Sequence, residues 1–446
     1  MTASSNASDP GPTRALLALG LAGAAQVVVY VALGGWDLYR GRPDLAVVLA
    51  LTAFAFYLVG IHAAQRTSGS SALVLAIGFG VLFRAALIGD PPFLSDDYYR
   101  YLWDGAVGLQ GINPYRYAPI DPRLADLDAA LRTSVNHPAV PTIYPPLAQL
   151  VFLAVAAAGA GWLGLKTVWL VCDAAIAGIL YRLVPSRHRL ASWMIYWWSP
   201  LVVVEVAWNA HLDLLGVLPL VISLWLVSSE RPRSVALGVA IAAAALVKYF
   251  AALVLPAAAR VGRPARVVAA FLITAVLLYL PYAGAGSALF EGLATYARHW
   301  RFNESVYGVL AATLPSPWAA KTLATAVVVL IAVQAVRNEW SLERAVFWIV
   351  GAVLLLAPTV HPWYLLWMVP LVAIRFNRAW LYLSGSVLTA YYGLEPFLER
   401  GNWPQPWWTR LIIYGPFFVL LAVDAWQGSW CQTAWQVITG RSRSSP

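Results

Sequence analysis

The chain has 446 residues, 60% of them hydrophobic and only 11% charged, whereas a soluble domain carries about 25% charged residues. That balance leaves no room for a sizeable soluble domain and describes a polytopic membrane protein with its bulk in lipid. The net charge of +9 does not point to nucleic acid, because Lys and Arg of a membrane protein gather in cytoplasmic loops.

Residues 1–14 are polar, lack a basic n-region and read as a disordered cytoplasmic tail rather than a cleavable signal peptide. A crossing helix needs about 20 apolar residues, while runs of about 10–14 are more often re-entrant. On that measure spans are expected at 15–36, 45–64, 72–89, 163–183, 190–206, 211–228, 267–283, 318–336, 345–360, 362–375, 379–394 and 410–427. Segment 147–160 is apolar but short and reads as re-entrant. Segment 234–259 is interrupted by Lys248 and Tyr249 and reads as one span or two half-helices. The sum is an all-α polytopic membrane protein of about 12–14 transmembrane or re-entrant helices. One transmembrane catalytic domain is expected over 15–427, with external loops at 90–146, after the third span, and at 284–305; 428–446 reads as a cytoplasmic tail. Cys172 and Cys431 lie far apart in or near apolar stretches, so no disulfide framework or Cys-based metal site follows.

Basic residues choose the orientation. Arg66, Arg182, Arg187, Arg189, Arg231, Arg233, Arg260, Arg263, Arg266, Arg337, Arg344, Arg375, Arg378, Arg441 and Arg443 fall on one side, the cytoplasm. This holds if 147–160 does not cross and 234–259 enters and returns, turning near Lys248. The extracytoplasmic side then receives loop 90–146, the Asn209–Asp213 corner, Lys248, loop 284–305, His361 and loop 395–409. Loop 37–44, with Arg40 and Arg42, fits the rule poorly.

The polar groups on that side carry the chemistry. Asp96 and Asp97 are adjacent carboxylates that raise each other's pKa, and a carboxylate so tuned serves as a general base. The plainer alternative is a solvated pair capping the short helix of YYRYLWDG. Asp104, seven residues on, shares the face of Asp97 if the stretch is helical. Arg100 is placed to pair with Asp97 or with a substrate phosphate. Asn209 is expected to cap a helix starting at 210, and helix N-termini bind phosphate, with His211 as an added donor. His211 and Asp213 point in different directions on a regular helix, which argues against one shared metal. Lys248 in an apolar run is a functional residue by default, suited to a phosphate as a point charge, unless it snorkels. His361 stands at the end of a span beside Trp and Tyr that also fit an aromatic belt. Arg298, His299, Arg301, Asn303 and Glu304 form a basic-polar cluster. Arg84 and Asp173 lie within spans and read as a buried structural pair. No P-loop, HExxH, GxSxG or Rossmann signature appears, so no nucleotide cofactor is expected; a divalent cation stays open, since carboxylates are present without a clear ligand spacing.

These motifs run in one order. Asp96, Asp97 and Tyr98 follow an early span; then come a turn from Gly111 to Tyr115, Tyr-x-Pro-Leu from Tyr144 to Leu147, the mid-span Asp173, Trp197 to Pro200, Asn209 to Asp213, and Lys248. The order resembles the glycosyltransferase C superfamily, more narrowly its polyprenyl-phosphate-mannose-dependent mannosyltransferases. Family 87 enzymes, actinobacterial α-mannosyltransferases of lipoglycan synthesis and the first mannosyltransferase of glycosylphosphatidylinositol assembly belong there. The resemblance spans about Leu73 to His361; two spans before the acidic motif, 15–64, depart from it. It implies a glycosyltransferase C-like fold and an inverting transfer of mannose. The donor would be a polyprenyl-phosphate-linked sugar, and the acceptor a lipid-linked or glycan hydroxyl at the outer face of the plasma membrane. It implies Asp97, then Asp96, as catalytic residues. Lys248, His211, Arg100 and Arg301 are the candidates for the donor phosphate. Asn209, Asp213, His361, Tyr98, Trp103, Asp104, Asn113, Tyr115 and Tyr144 are the candidates for contacts to the substrates. A transporter or flippase of lipid-linked saccharides is the alternative, although transporters place their sites near the midplane of repeats and no repeat is evident here. A non-catalytic membrane scaffold is a third reading.

Overall fold

The computed structural model describes residues 11–35, 42–228, 233–394 and 405–427. Arg40, Arg231, Cys431, Arg441, Arg443, most of loop 395–409 and the 428–446 tail lie outside the described residues, as do residues 1–10 of the expected N-terminal tail. Eight helices among the described residues are long and apolar enough to cross a membrane, and five shorter apolar helices lie between them. The only β feature described is an isolated bridge between Phe302 and Thr359. The protein is an all-α polytopic membrane protein.

Proline marks where many of these helices begin. Pro12, Pro43, Pro146, Pro264 and Pro317 each open one, because the missing N–H is unsatisfied at a first turn anyway and φ is preset. The first helix, Pro12–Leu33, therefore takes in residues 12–14, which the sequence reading put in the tail. Outward faces stay apolar, with Leu17, Leu21, Val28, Leu272, Ile273 and Val276 exposed. Such faces suit lipid, where the backbone is satisfied inside each helix.

One span differs from the rest. Ser186–Trp208 is almost wholly enclosed by its neighbours. Pro200 breaks it, since proline cannot continue the hydrogen-bond ladder. A widened turn follows at Val203–Trp208, closed by Asn209 N–H donating to the Val204 carbonyl (2.9 Å) and His211 N–H to the Glu205 carbonyl (2.9 Å). The chain leaves it through Ala210 at φ +59°, a left-handed conformation that costs a residue with a Cβ.

Segment 234–261 is a hairpin of two helical pieces, one of the two readings of 234–259. Helix Ser234–Ala245 ends before Lys248, and a second helical run, Tyr249–Val261, follows. The Arg263 N–H donates to Ser234 Oγ at 2.9 Å, 29 residues away, so the two ends of the hairpin meet. At its tip the Leu246 carbonyl accepts from Leu147 N–H at 3.2 Å. The tip thus touches the start of the short helix Pro146–Ala157.

Segment 97–146 folds around a small core of its own: Trp103, Val107, Leu124 and Val135. Segment 284–305, expected as an open loop, is mostly helical instead. The chain stays helical from Pro264 to His299, with a kink at Gly286, whose φ of +57° favours glycine. Beyond it, Phe302 N–H donates to the Pro358 carbonyl and Val360 N–H to the Phe302 carbonyl.

Two buried cations brace the spans. Arg84 forms the expected pair with Asp173 (Nη2 to Oδ1, 3.2 Å), which also accepts from Tyr196 Oη at 2.8 Å. Lys166 donates to the carbonyls of Leu87 and Asp90 at 3.2 and 2.5 Å. A cation at the end of helix Ser70–Ile88 satisfies carbonyls that a helix leaves unpaired, and it fixes where the acidic segment begins.

Candidate active site

The acidic rim lies at the start of helix Asp97–Leu109, where negative charge is favoured. Asp96 occupies the capping position, yet its side chain makes no capping bond. Both carboxylates turn instead to one amide: Asn136 Nδ2 donates to Asp96 Oδ1 at 2.7 Å and to Asp97 Oδ1 at 3.3 Å. Burial, reinforced by the charge of Asp97, pushes the Asp96 carboxyl up to about 6.

Several expected site residues build the frame around this rim. Arg100 donates from Nη2 to the Val140 carbonyl at 2.6 Å and lies close to Asp104; no bond to Asp97 forms. Asp104 is buried rather than set beside Asp97, accepting from Thr142 Oγ1 (2.5 Å) and Gln149 Nε2 (2.9 Å). Trp103 is buried in the outer core. Asn113 Nδ2 donates to the Tyr282 carbonyl at 2.9 Å, and its Oδ1 accepts from Tyr115 N–H at 3.1 Å. Tyr115 Oη in turn donates to the Tyr144 carbonyl at 2.7 Å. The bond to Tyr282 docks the segment onto the helical run Pro264–His299, and the other two brace it internally. Tyr98 packs on Tyr99 at 4.1 Å. Tyr144 stands against Tyr101 at 5.1 Å, within electrostatic reach of Asp97.

Beneath the rim lies a polar well. Lys248 Nζ is 2.5 Å from Asp213 Oδ1, and Trp367 Nε1 donates to the same oxygen at 2.7 Å. The ammonium also sits 3.6 Å from the centre of the Tyr364 ring, a cation–π contact. Tyr364 and Tyr296 share a hydrogen bond between hydroxyls at 2.7 Å. His211 is fully buried, with Nδ1 2.8 Å from Glu205 Oε2. Its ring stacks on Trp363 at 3.9 Å, and His361 also stacks on that indole at 4.3 Å.

Asn209 does not cap a helix at 210. The next helix starts at Leu214, because the widened turn and the left-handed Ala210 delay it. Asn209 instead accepts from Leu94 N–H (3.1 Å) and donates to Glu205 Oε2 (3.3 Å). Arg301 lies apart from the well and pairs with Glu304, Nη2 to Oε2 at 2.9 Å.

Rim and well lie within electrostatic reach of each other. The charge of Asp97 reaches Lys248, Tyr296 and Tyr391, and Asp96 lies within reach of His211. The rim carboxylates therefore stand near the Lys248 ammonium and the His211 ring. Among the described residues no cluster of three His, Cys, Asp or Glu forms a metal site. Residues 15–262 match the MptA_B family, described as alpha-(1->6)-mannopyranosyltransferase, N-terminal domain. The chain belongs to that family. No curated protein and no solved structure matches it. The protein is thus a membrane glycosyltransferase of a mannosyltransferase family, with a glycosyltransferase C assignment. The matched region holds the rim, His211, Asp213 and Lys248. Tyr296, His361, Trp363, Tyr364, Trp367 and Tyr391 come from beyond it and complete the well.

Glu205, Asn136 and those aromatic residues escaped the sequence reading. Glu205 had a usable signal, one acid inside the run LVVVEVAW. Asn136 had none, because its partners lie about 40 residues away.

Proposed function

We propose that the protein transfers mannose from a polyprenyl-phosphate donor to a hydroxyl of a lipid-linked or glycan acceptor, at the outer face of the plasma membrane. The observation that carries this reading is the nearness of Asp97 to Lys248 and of Asp96 to His211. Asp97 takes the proton of the acceptor hydroxyl as that oxygen bonds to C1 of mannose. The bond from C1 to the phosphate oxygen breaks at the same time, and polyprenyl phosphate leaves. Attack opposite the leaving group inverts C1, so a β-linked donor yields an α-mannoside; the family's description adds a (1→6) linkage.

Asp97 is assigned as the base because its charge reaches Lys248, whereas Asp96 contributes a second negative charge beside the cationic sugar of the transition state. Lys248 and His211 stabilise the charge that grows on the leaving phosphate. Asp213 and Trp367 hold the ammonium in place, and Tyr144, Tyr296 and Tyr364 line the space between. His361 steadies the stack around Trp363. Arg100, Trp103, Asp104, Asn113 and Tyr115 act as the frame, and Arg301, paired with Glu304, takes no part. The arginine pattern, together with the closed hairpin 234–261, supports the outward-facing site.

Purified protein given polyprenyl-phosphate mannose and lipid acceptors should release polyprenyl phosphate and form a mannosylated lipid in equal amounts. Parallel reactions with EDTA test for a metal requirement. Failure to transfer mannose to any lipid or glycan acceptor would overturn the reading.

A further inference from the structure

Glu205 has no task in the mechanism above, yet it is fully buried at the centre of the molecule. A buried carboxylate needs hydrogen bonds and a countercharge. Three side chains reach this one: Tyr391 Oη at 3.0 Å, Asn209 Nδ2 at 3.3 Å and His211 Nδ1 at 2.8 Å. Of these only His211 can carry a positive charge. The two residues are linked a second time, since His211 N–H donates to the Glu205 carbonyl. Both bonds exist because the widened turn at Val203–Trp208 brings positions 205 and 211 together; such turns often mark functional sites.

The imidazole is held in two further ways. Trp363 lies against its face at 3.9 Å with ring planes 14° apart, which restrains tilt, and the Glu205 carboxylate 2.8 Å from Nδ1 favours one rotation of the ring. Neither ring nitrogen of the buried His211 makes an aligned hydrogen bond: Nδ1 has Glu205 Oε2 at ion-pair distance, and Nε2, beside the well that holds Lys248, has no such partner. An unpaired buried nitrogen on a clamped ring is a group waiting for a ligand. Asn209 extends the arrangement, joining Glu205 to Leu94 N–H, two residues before Asp96.

We propose that Glu205 is a positioning residue that holds His211 so that Nε2–H donates to the phosphate of the lipid donor, an inference that rests on the phosphate role given to His211 above. Glu205 touches no substrate. Its carboxylate sets the direction of the ring, as outer carboxylates do for histidine ligands of metals.

The probe is a radiolabelled polyisoprenyl monophosphate bound to the full-length protein in nanodiscs, with the matching polyisoprenol as control. Wild type should bind the phosphate and discriminate against the alcohol. Glu205→Gln, which keeps size and loses charge, should weaken phosphate binding about tenfold and leave alcohol binding unchanged. His211→Gln should weaken it similarly, and the double variant should lose no more than His211→Gln alone. Additive losses, or normal binding by Glu205→Gln, would overturn the proposal while leaving the transferase reading intact. A wild type that does not prefer phosphate to alcohol would overturn the phosphate role of His211 itself. Should Glu205→Gln fail to fold, Tyr391→Phe decides: it removes one bond to Glu205 without touching His211. A loss of about twofold to threefold is expected there, and unchanged binding would overturn the proposal.

Discussion

The molecule carries two acidic regions that differ in what answers their charge. At the rim, Asp96 and Asp97 are half-buried and share one neutral amide, Asn136. In the well, Asp213 and Glu205 are fully buried, one holding Lys248 and Trp367, the other His211, Asn209 and Tyr391. The same functional group thus serves opposite ends. A carboxylate with only an amide beside it keeps its capacity to accept a proton. One whose charge is answered by a cation, as those of Asp213 and Glu205 are, becomes a scaffold for that cation. Role here follows what answers each charge, not acidity as such.

The sharpest way to break this contrast is at the rim. Asp97→Asn keeps size and loses the proton acceptor, so transfer should fall by about 10²–10⁴-fold while lipid-phosphate binding survives. If Asp96→Asn abolishes turnover and Asp97→Asn does not, the two roles are reversed. If both variants stay active, the rim carries no chemistry.

In the well, Asp213→Ala removes the partner of an enclosed ammonium. A loss of about 3–5 kcal/mol of stability is expected, read as a drop in melting temperature in detergent. An unchanged melting temperature would mean that Asp213 is not a scaffold, and the contrast between the regions would fall.

Lys248→Ala should weaken donor use by about 1.5–3 kcal/mol, read as a raised KM for the donor with the acceptor KM unchanged. Lys248→Arg should recover only part of this, since a guanidinium forks where an ammonium is compact. A donor KM equal to that of wild type would return Lys248 to a purely structural role.

The smallest effect is in pH. Burial and the charge of Asp97 raise the Asp96 carboxyl to about 6, so it gains its proton as pH falls through that value. The rim then loses one negative charge, and the rate should fall on the acid side of about pH 6. In Asp96→Asn the group that titrates there is gone, so this limb should vanish and leave a lower, flatter profile. A limb that persists at the same pH in that variant assigns it to another group.

Much of the candidate site was legible because ionisable groups are costly in apolar runs. Lys248, Asp213 and His211 stood out for that reason, and Asp96 and Asp97 stood out as a pair. Glu205 carried the same signal, but nothing in its apolar run names the partners it meets. Trp363, Tyr364 and Trp367 could not be told from an interfacial aromatic belt. The frame residues Trp103, Asn113 and Tyr115 look like ligands in sequence, because aromatic and amide groups dock an outer segment and bind a sugar by the same contacts.

By itself the sequence determined the class of fold and most helix positions. In lipid each backbone polar group must bond within its own helix, so length and hydropathy suffice, and proline marks the starts. It also determined the break at Lys248. Only the tertiary structure decided what the polar groups do. The break at Pro200 and the widened turn at Val203–Trp208 put His211 on Glu205 rather than on a helix, and moved Asn209 from a cap to a bridge. The hairpin 234–261 carried Lys248 to Asp213, and Asn136 reached back to the rim across the outer segment. Those are contacts between distant parts of the chain, set by the packing of whole helices, and no local pattern of residues encodes them.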